Sequence, residues 1–138
     1  MNYTRIVLAT LGGFVAYMAM GSVMFVAIPA LKREFGKFPA VYRDHKGQMS
    51  HMPLGMAAML LSIVVLAVLF AMIHPAGAGM EDGAIYGALI GFYALGSFVI
   101  HNHVNLNIGV KVTLYSGIVY FIEWTVVGVV ISLIYKPS

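Results

Sequence analysis

Cysteine is absent from this chain. That excludes a disulfide framework, thiolate zinc sites, iron–sulfur ligation and cysteine nucleophiles. Charge is nearly as scarce: Asp, Glu, Lys and Arg make up 9% of the residues, where soluble domains carry about a quarter. There is one tryptophan. No nucleophile elbow, Walker loop, Rossmann fingerprint or H-E-x-x-H is present. Gly77-Ala78-Gly79 reads as a turn and nothing more.

Apolar residues fill the space. They account for 61% of the 138 positions, and mean hydropathy is +0.91. A soluble fold of this length has too little interior to hide so much apolar surface. The bilayer is therefore the expected solvent for most of the chain. The net charge of +3 does not indicate a nucleic-acid partner, because the basic residues cluster beside a hydrophobic run, where membrane topology explains them.

Four runs meet the length rule of about 20 apolar residues for a spanning helix: residues 6–31, 53–73, 83–104 and 112–135. Helices satisfy their own backbone groups in lipid, and the short alternating segments of a barrel are missing. The expected fold is all-α, a four-helix transmembrane bundle forming a single integral membrane domain over 1–138. The run at 6–31 is longer than the apolar core of a signal peptide and reads as a retained span. Pro29 predicts a kink or early end within it. Pro53 suits the start of the second helix, and His74-Pro75 with Gly77 and Gly79 ends it. Glu81 and Asp82 complement the dipole at the start of the third. Asn105, Asn107 and Gly109 mark the turn before the fourth.

Orientation follows from Lys and Arg. Lys32, Arg33, Lys37, Arg43 and Lys46 lie in the loop 32–52, and Lys111 lies in the loop between spans three and four. Arg5 and Lys136 lie at the opposite side. The positive-inside rule places both loops in the cytoplasm and both termini outside. The basic loop also has affinity for anionic lipid headgroups, and its length leaves room for a short interfacial helix.

Glu123 is the single charged residue of the run 112–135. At 1.5 Å per residue it sits roughly 16 Å from one end and roughly 18 Å from the other. A carboxyl at that depth is costly and marks a functional site or a specific internal contact. Thr113, Ser116, Tyr120 and Glu123 share one helix face. Trp124 stands beside the acid at mid-depth, where it packs on protein or lines a site. On the other spans Tyr17, Ser62 and Tyr93 are at the same level. The candidate ligand- or proton-binding set is Glu123, Tyr120, Ser116, Tyr93, Tyr17 and Trp124.

Histidines form a second candidate. His51, His101 and His103, with His45, Met49 and Met52 near them, carry side chains able to bind a transition metal or haem. The pattern disfavours it. His101 and His103 are two residues apart and point about 200° away from each other on a helix, and no H-x-x-x-H spacing is present. The methionines at 49, 52, 56 and 59 recur at a spacing that packing alone explains. Small residues mark helix packing: Gly83, Gly87 and Gly91 on span three, Gly128 with Ser132 on span four, Gly12 with Ala16 on span one. Four short spans enclose little volume, so a pathway or cavity forms more readily between subunits. This predicts a homo-oligomer or a subunit among other membrane proteins.

The segments Gly87-Ala88-Leu89-Ile90-Gly91, Asn105-Leu106, Lys111-Val112-Thr113 and Glu123-Trp124 resemble a loose group of small, uncharacterised four-helix bacterial inner-membrane proteins. The resemblance covers roughly the last third of the chain. It implies a multi-pass protein of the bacterial inner membrane, with its termini then periplasmic, and implies no activity. Three function classes are expected from the residues: a non-enzymatic binding or accessory subunit, a small oligomeric transporter or channel with Glu123 as its proton-coupled carboxyl, and a membrane enzyme with a histidine-based metal site. Fold alone does not choose among them.

Overall fold

The computed structural model describes residues 1–136; positions 137 and 138 of the predicted domain lie outside the described residues. Helix α1, Tyr3–Ala27, begins where the Asn2 side chain accepts the Arg5 N–H at 3.1 Å. It stops at Ile28, whose φ of −119° and ψ of 78° are not helical, because a residue before proline is pushed out of the α region. Pro29 then opens a short helix α2, Pro29–Phe35, at the position where its missing N–H does no harm. The expected span 6–31 is thus divided, and residues 29–31 belong to α2.

Helix α3, His45–Ile73, is 29 residues long. It starts eight residues before the expected start at 53, and Pro53 lies inside it. The correction has a local cause. Asp44 caps the helix, its carboxylate accepting the Gly47 N–H at 2.8 Å, and a good cap at the true start outweighs one missing donor further in. Helix α4, Met80–Ala94, runs through a π-helical turn, Leu95–Ile100, into α5, His101–Asn105. Together they form one rod of 26 residues. Glu81 and Asp82 occupy its first turn, and Asp82 accepts the Gly79 N–H at 3.1 Å. Helix α6 is Val110–Ile134.

Four of these rods are long and apolar enough to cross a membrane, and no strand is present among the described residues. The protein is an all-α four-helix bundle. Its outer surface is apolar, with Val7, Leu61, Leu69, Phe92 and Leu114 all exposed, which is stable only where lipid replaces water.

Helix α6 is the central rod. Helix α4 lies along one side of it, α1 along another, and α3 joins the bundle mainly through α1. Glycine makes the first of these contacts possible. A Cβ built on Gly87 would stand 2.8 Å from Thr125 Cα, and one on Gly91 would stand 3.0 Å from Phe121 Cα. Gly83 faces Ser132 and Gly128 in the same way. Backbones this close gain dispersion energy that larger side chains would forbid.

Phe70 centres the buried cluster, with the rings of Tyr86 at 5.2 Å and Tyr135 at 6.3 Å. The Tyr86 hydroxyl donates to the Leu66 carbonyl at 2.7 Å, tying α4 to α3. Tyr86→Phe should lower stability by about 1 kcal/mol, read as a lower unfolding midpoint in detergent with unchanged helicity.

At the basic end, Lys37 bonds Glu34 at 2.7 Å. That bond holds the Glu34 carboxyl below the usual carboxylate range. A lowered folded value means the pair stabilises the fold above the ordinary carboxylate pKa, and this contribution disappears as the solution is acidified below it.

Candidate functional site

Glu123 is 4% exposed, and α6 turns it toward α1. Its Oε1 lies 3.1 Å from where a Cβ on Gly21 would be, so glycine at 21 makes room for the carboxyl. Tyr17, one helical turn before Gly21 on α1, lines the same groove as the carboxyl. The Tyr17 ring also packs on Trp124, with centroids 5.3 Å apart and planes tilted by 41°. That packing fixes the Tyr17 ring on the α6 side of the groove.

The carboxyl borders a groove of about 580 Å³ between α1, α2, the start of α3 and α6. Ser116 and Tyr120 extend the polar stripe of α6 along it, while Met18, Leu31 and Val119 supply apolar wall. The structure therefore brings Glu123, Tyr120, Ser116 and Tyr17 to one cleft, with Trp124 packed behind. A mostly apolar cleft with a few convergent polar groups is the usual form of a small-molecule site.

Tyr93 does not join them. Its side chain is 73% exposed on the outer face of the bundle. The reason is angular. Gly83, Gly87 and Gly91 turn one face of α4 to α6, and a residue two places beyond Gly91 points about 200° away. Ser62 is likewise outside, with its hydroxyl donating to the Ala58 carbonyl at 3.0 Å.

Thr113, the first residue of the stripe, lies beyond the groove and pairs with His103, Oγ1 to Nδ1 at 2.8 Å. His51 Nδ1 is 2.9 Å from the Gly47 carbonyl and 3.0 Å from Ser50 Oγ, both on its own helix. The His101 carbonyl accepts the Asn105 amide at 2.9 Å. Among the described residues, no three His, Cys, Asp or Glu side chains gather where they can share a metal ion. His51 stands near the start of α3, and His101 and His103 stand in α5.

Sequence reasoning missed the wall opposite Glu123. Gly21 and Ser22 interrupt the apolar run of α1, and that pair of small residues was the available signal. Gln48 and Met52 reach the groove because α3 begins at His45, which a helix starting at 53 conceals.

A second cavity, of about 650 Å³, opens at the basic end and is lined by Lys32, Arg43, Asp44 and His45. Phe25, Phe35 and Gln48 line both cavities. Phe35 stacks edge-on with Tyr42 at 4.7 Å, and burial pushes the Tyr42 hydroxyl above its ordinary pKa. The chain matches no protein-family model, no curated protein and no solved structure.

Proposed function

We propose that this chain is a non-enzymatic binding subunit of the bacterial inner membrane that takes a lipid-soluble molecule from the bilayer into the groove, with Glu123 as its polar anchor. One observation carries the reading. An acid with no Lys or Arg at its depth stands against a cleft whose other lining residues are uncharged: hydroxyls, the Gln48 amide and apolar side chains. Keeping a carboxyl there is costly, and a ligand that hydrogen-bonds to it recovers part of that cost. The distribution of Lys and Arg supports a cytoplasmic location for the basic end and an external one for both termini. Oligomerisation or association with other membrane subunits belongs to the same proposal. The exposed apolar sides of α3 and α4 are compatible with it, although the small-residue face of α4 is already used against α6.

Mass spectrometry of small molecules retained by the protein in mild detergent tests the reading. Wild type should carry a stoichiometric lipid-soluble molecule. Glu123→Gln should keep the same helicity and monodispersity and retain about ten-fold less, the effect of one lost charge-assisted bond. Equal retention by wild type and variant would refute the anchor.

A transporter is the second reading, and one arrangement favours it: Ser116 and Tyr120 line the groove with Glu123, and that groove shares Phe25, Phe35 and Gln48 with the cavity at the basic end. In that case Glu123→Gln abolishes proton-coupled flux in proteoliposomes while leaving assembly intact.

A further inference from the structure

We propose that the molecule taken up by the groove is a lipid-soluble organic cation, paired with Glu123 and flanked by the aromatic rings of the same groove. This inference rests on the binding reading above and adds the charge and the chemical character of the ligand.

Charge is the first argument. Glu123 is the one charged residue that lines the groove. Among the described residues the one ion pair is that of Lys37 with Glu34, so the chain supplies no cationic partner for this carboxyl. Lys32, Arg43 and His45 line the neighbouring cavity and not the groove. Buried charges are paired in stable proteins, and opposite charges attract far more strongly in an apolar surrounding than in water. A cationic ligand completes the pair that the chain leaves open.

Space is the second argument. A Cβ built on Gly21 would meet Glu123 Oε1 at 3.1 Å and, among the described residues, no other atom of a neighbouring helix within 4 Å. The face of α1 that carries Gly21 is therefore open beside the carboxylate oxygen. The groove volume, about 580 Å³, lies within the range of about 300–1,000 Å³ usual for sites that hold one small molecule.

The rings are the third argument. Tyr17 is four residues before Gly21 and Phe25 four residues after it, so both share its face of α1, one turn to either side. Tyr120 is three residues before Glu123 and shares its face of α6. All three line the groove. The face of an aromatic ring attracts a cation, so these rings add to the attraction of the acid. Most of the remaining wall is hydrocarbon, with Met18, Leu31, Met52 and Val119. Such a wall suits an ion that carries its own apolar shell, rather than one that carries water.

Equilibrium dialysis of tetraphenylphosphonium and of tetrabutylammonium against the protein in maltoside detergent, with detergent alone as blank, tests the proposal. Saturable binding of at least one of the two cations is expected. Tetraphenylborate has the shape of tetraphenylphosphonium and the opposite charge, and it should bind at least about ten-fold more weakly. Glu123→Gln should weaken cation binding by about ten-fold or more. Gly21→Leu keeps the acid and fills the open space, and it should cause a similar loss with unchanged helicity. Tyr120→Phe should stay within about two-fold and Tyr120→Leu should lose about three-fold or more, because the ring and not the hydroxyl attracts the cation.

No binding of either cation, equal binding of the borate, full binding by Glu123→Gln or Gly21→Leu, or equal affinities in the two Tyr120 variants would each overturn the proposal. If Glu123→Gln loses the molecule that wild type retains while neither cation binds to wild type, the groove reading survives and the cationic ligand falls. If Glu123→Gln changes neither retention nor cation binding, both fall.

Discussion

Gly87→Val is expected to be the most damaging single substitution in this protein. The side chain at 87 would be built into the backbone of α6: its Cβ alone falls 2.8 Å from Thr125 Cα and 2.9 Å from the Thr125 carbonyl oxygen, and it also meets the Trp124 carbonyl. Backbone cannot rotate away as a flexible side chain can, so α4 must move outward along much of its contact with α6. Overpacking of this kind costs about 3 kcal/mol and sometimes more. Measured as an unfolding midpoint in detergent, the loss should be accompanied by exposure of Trp124, which lies at the same contact. Gly55→Ala is the control. Nothing lies within 4 Å of a Cβ at Gly55, and replacing an exposed helical glycine should stabilise by up to about 1 kcal/mol. If Gly87→Val and Gly55→Ala behave alike, α4 does not seat on α6 through its glycine face. The geometry that aims Glu123 at Gly21 then loses its support.

Glu123→Leu should move stability and function in opposite directions. An acid at the centre of a spanning helix costs about 2.5–3.5 kcal/mol on insertion scales. Leucine is of similar length and needs no partner, so the variant should be more stable than wild type by about 2 kcal/mol. Its retention of a bound molecule should fall to background. A gain in stability with a loss of binding is the usual signature of a residue kept for function. The opposite result, a variant less stable than wild type, would show that the carboxyl serves as an internal tie between α1 and α6. The binding reading would then be abandoned. Because Tyr17 lines the groove with Glu123 and packs on Trp124, Tyr17→Phe is a useful companion. In the binding reading it weakens retention without the stability gain.

The four rods could be read along the chain, because the free energy of moving a residue from water to lipid is a local quantity that sums over a window. Hydropathy located 6–31, 53–73, 83–104 and 112–135 to within a few residues, except where punctuation competed. Pro29 ended α1 as its steric demand requires. At Pro53 the reading gave too much weight to one missing donor, and Asp44 set the start instead. Glu123 stood out because it was the single charge in its run. The direction in which each rod faces was another matter. Tyr17 and Tyr93 have the same residue type and the same expected depth, yet one lines the groove with the acid and the other faces lipid. Rotation about a helix axis is chosen by which backbones can approach, and the contact of Gly83, Gly87 and Gly91 with α6 made that choice for α4. The groove, assembled from four separate helices, existed only once those rotations and the early start of α3 were settled. Depth in a membrane is a one-dimensional property of a segment, whereas the angle it presents to its neighbours is a property of pairs.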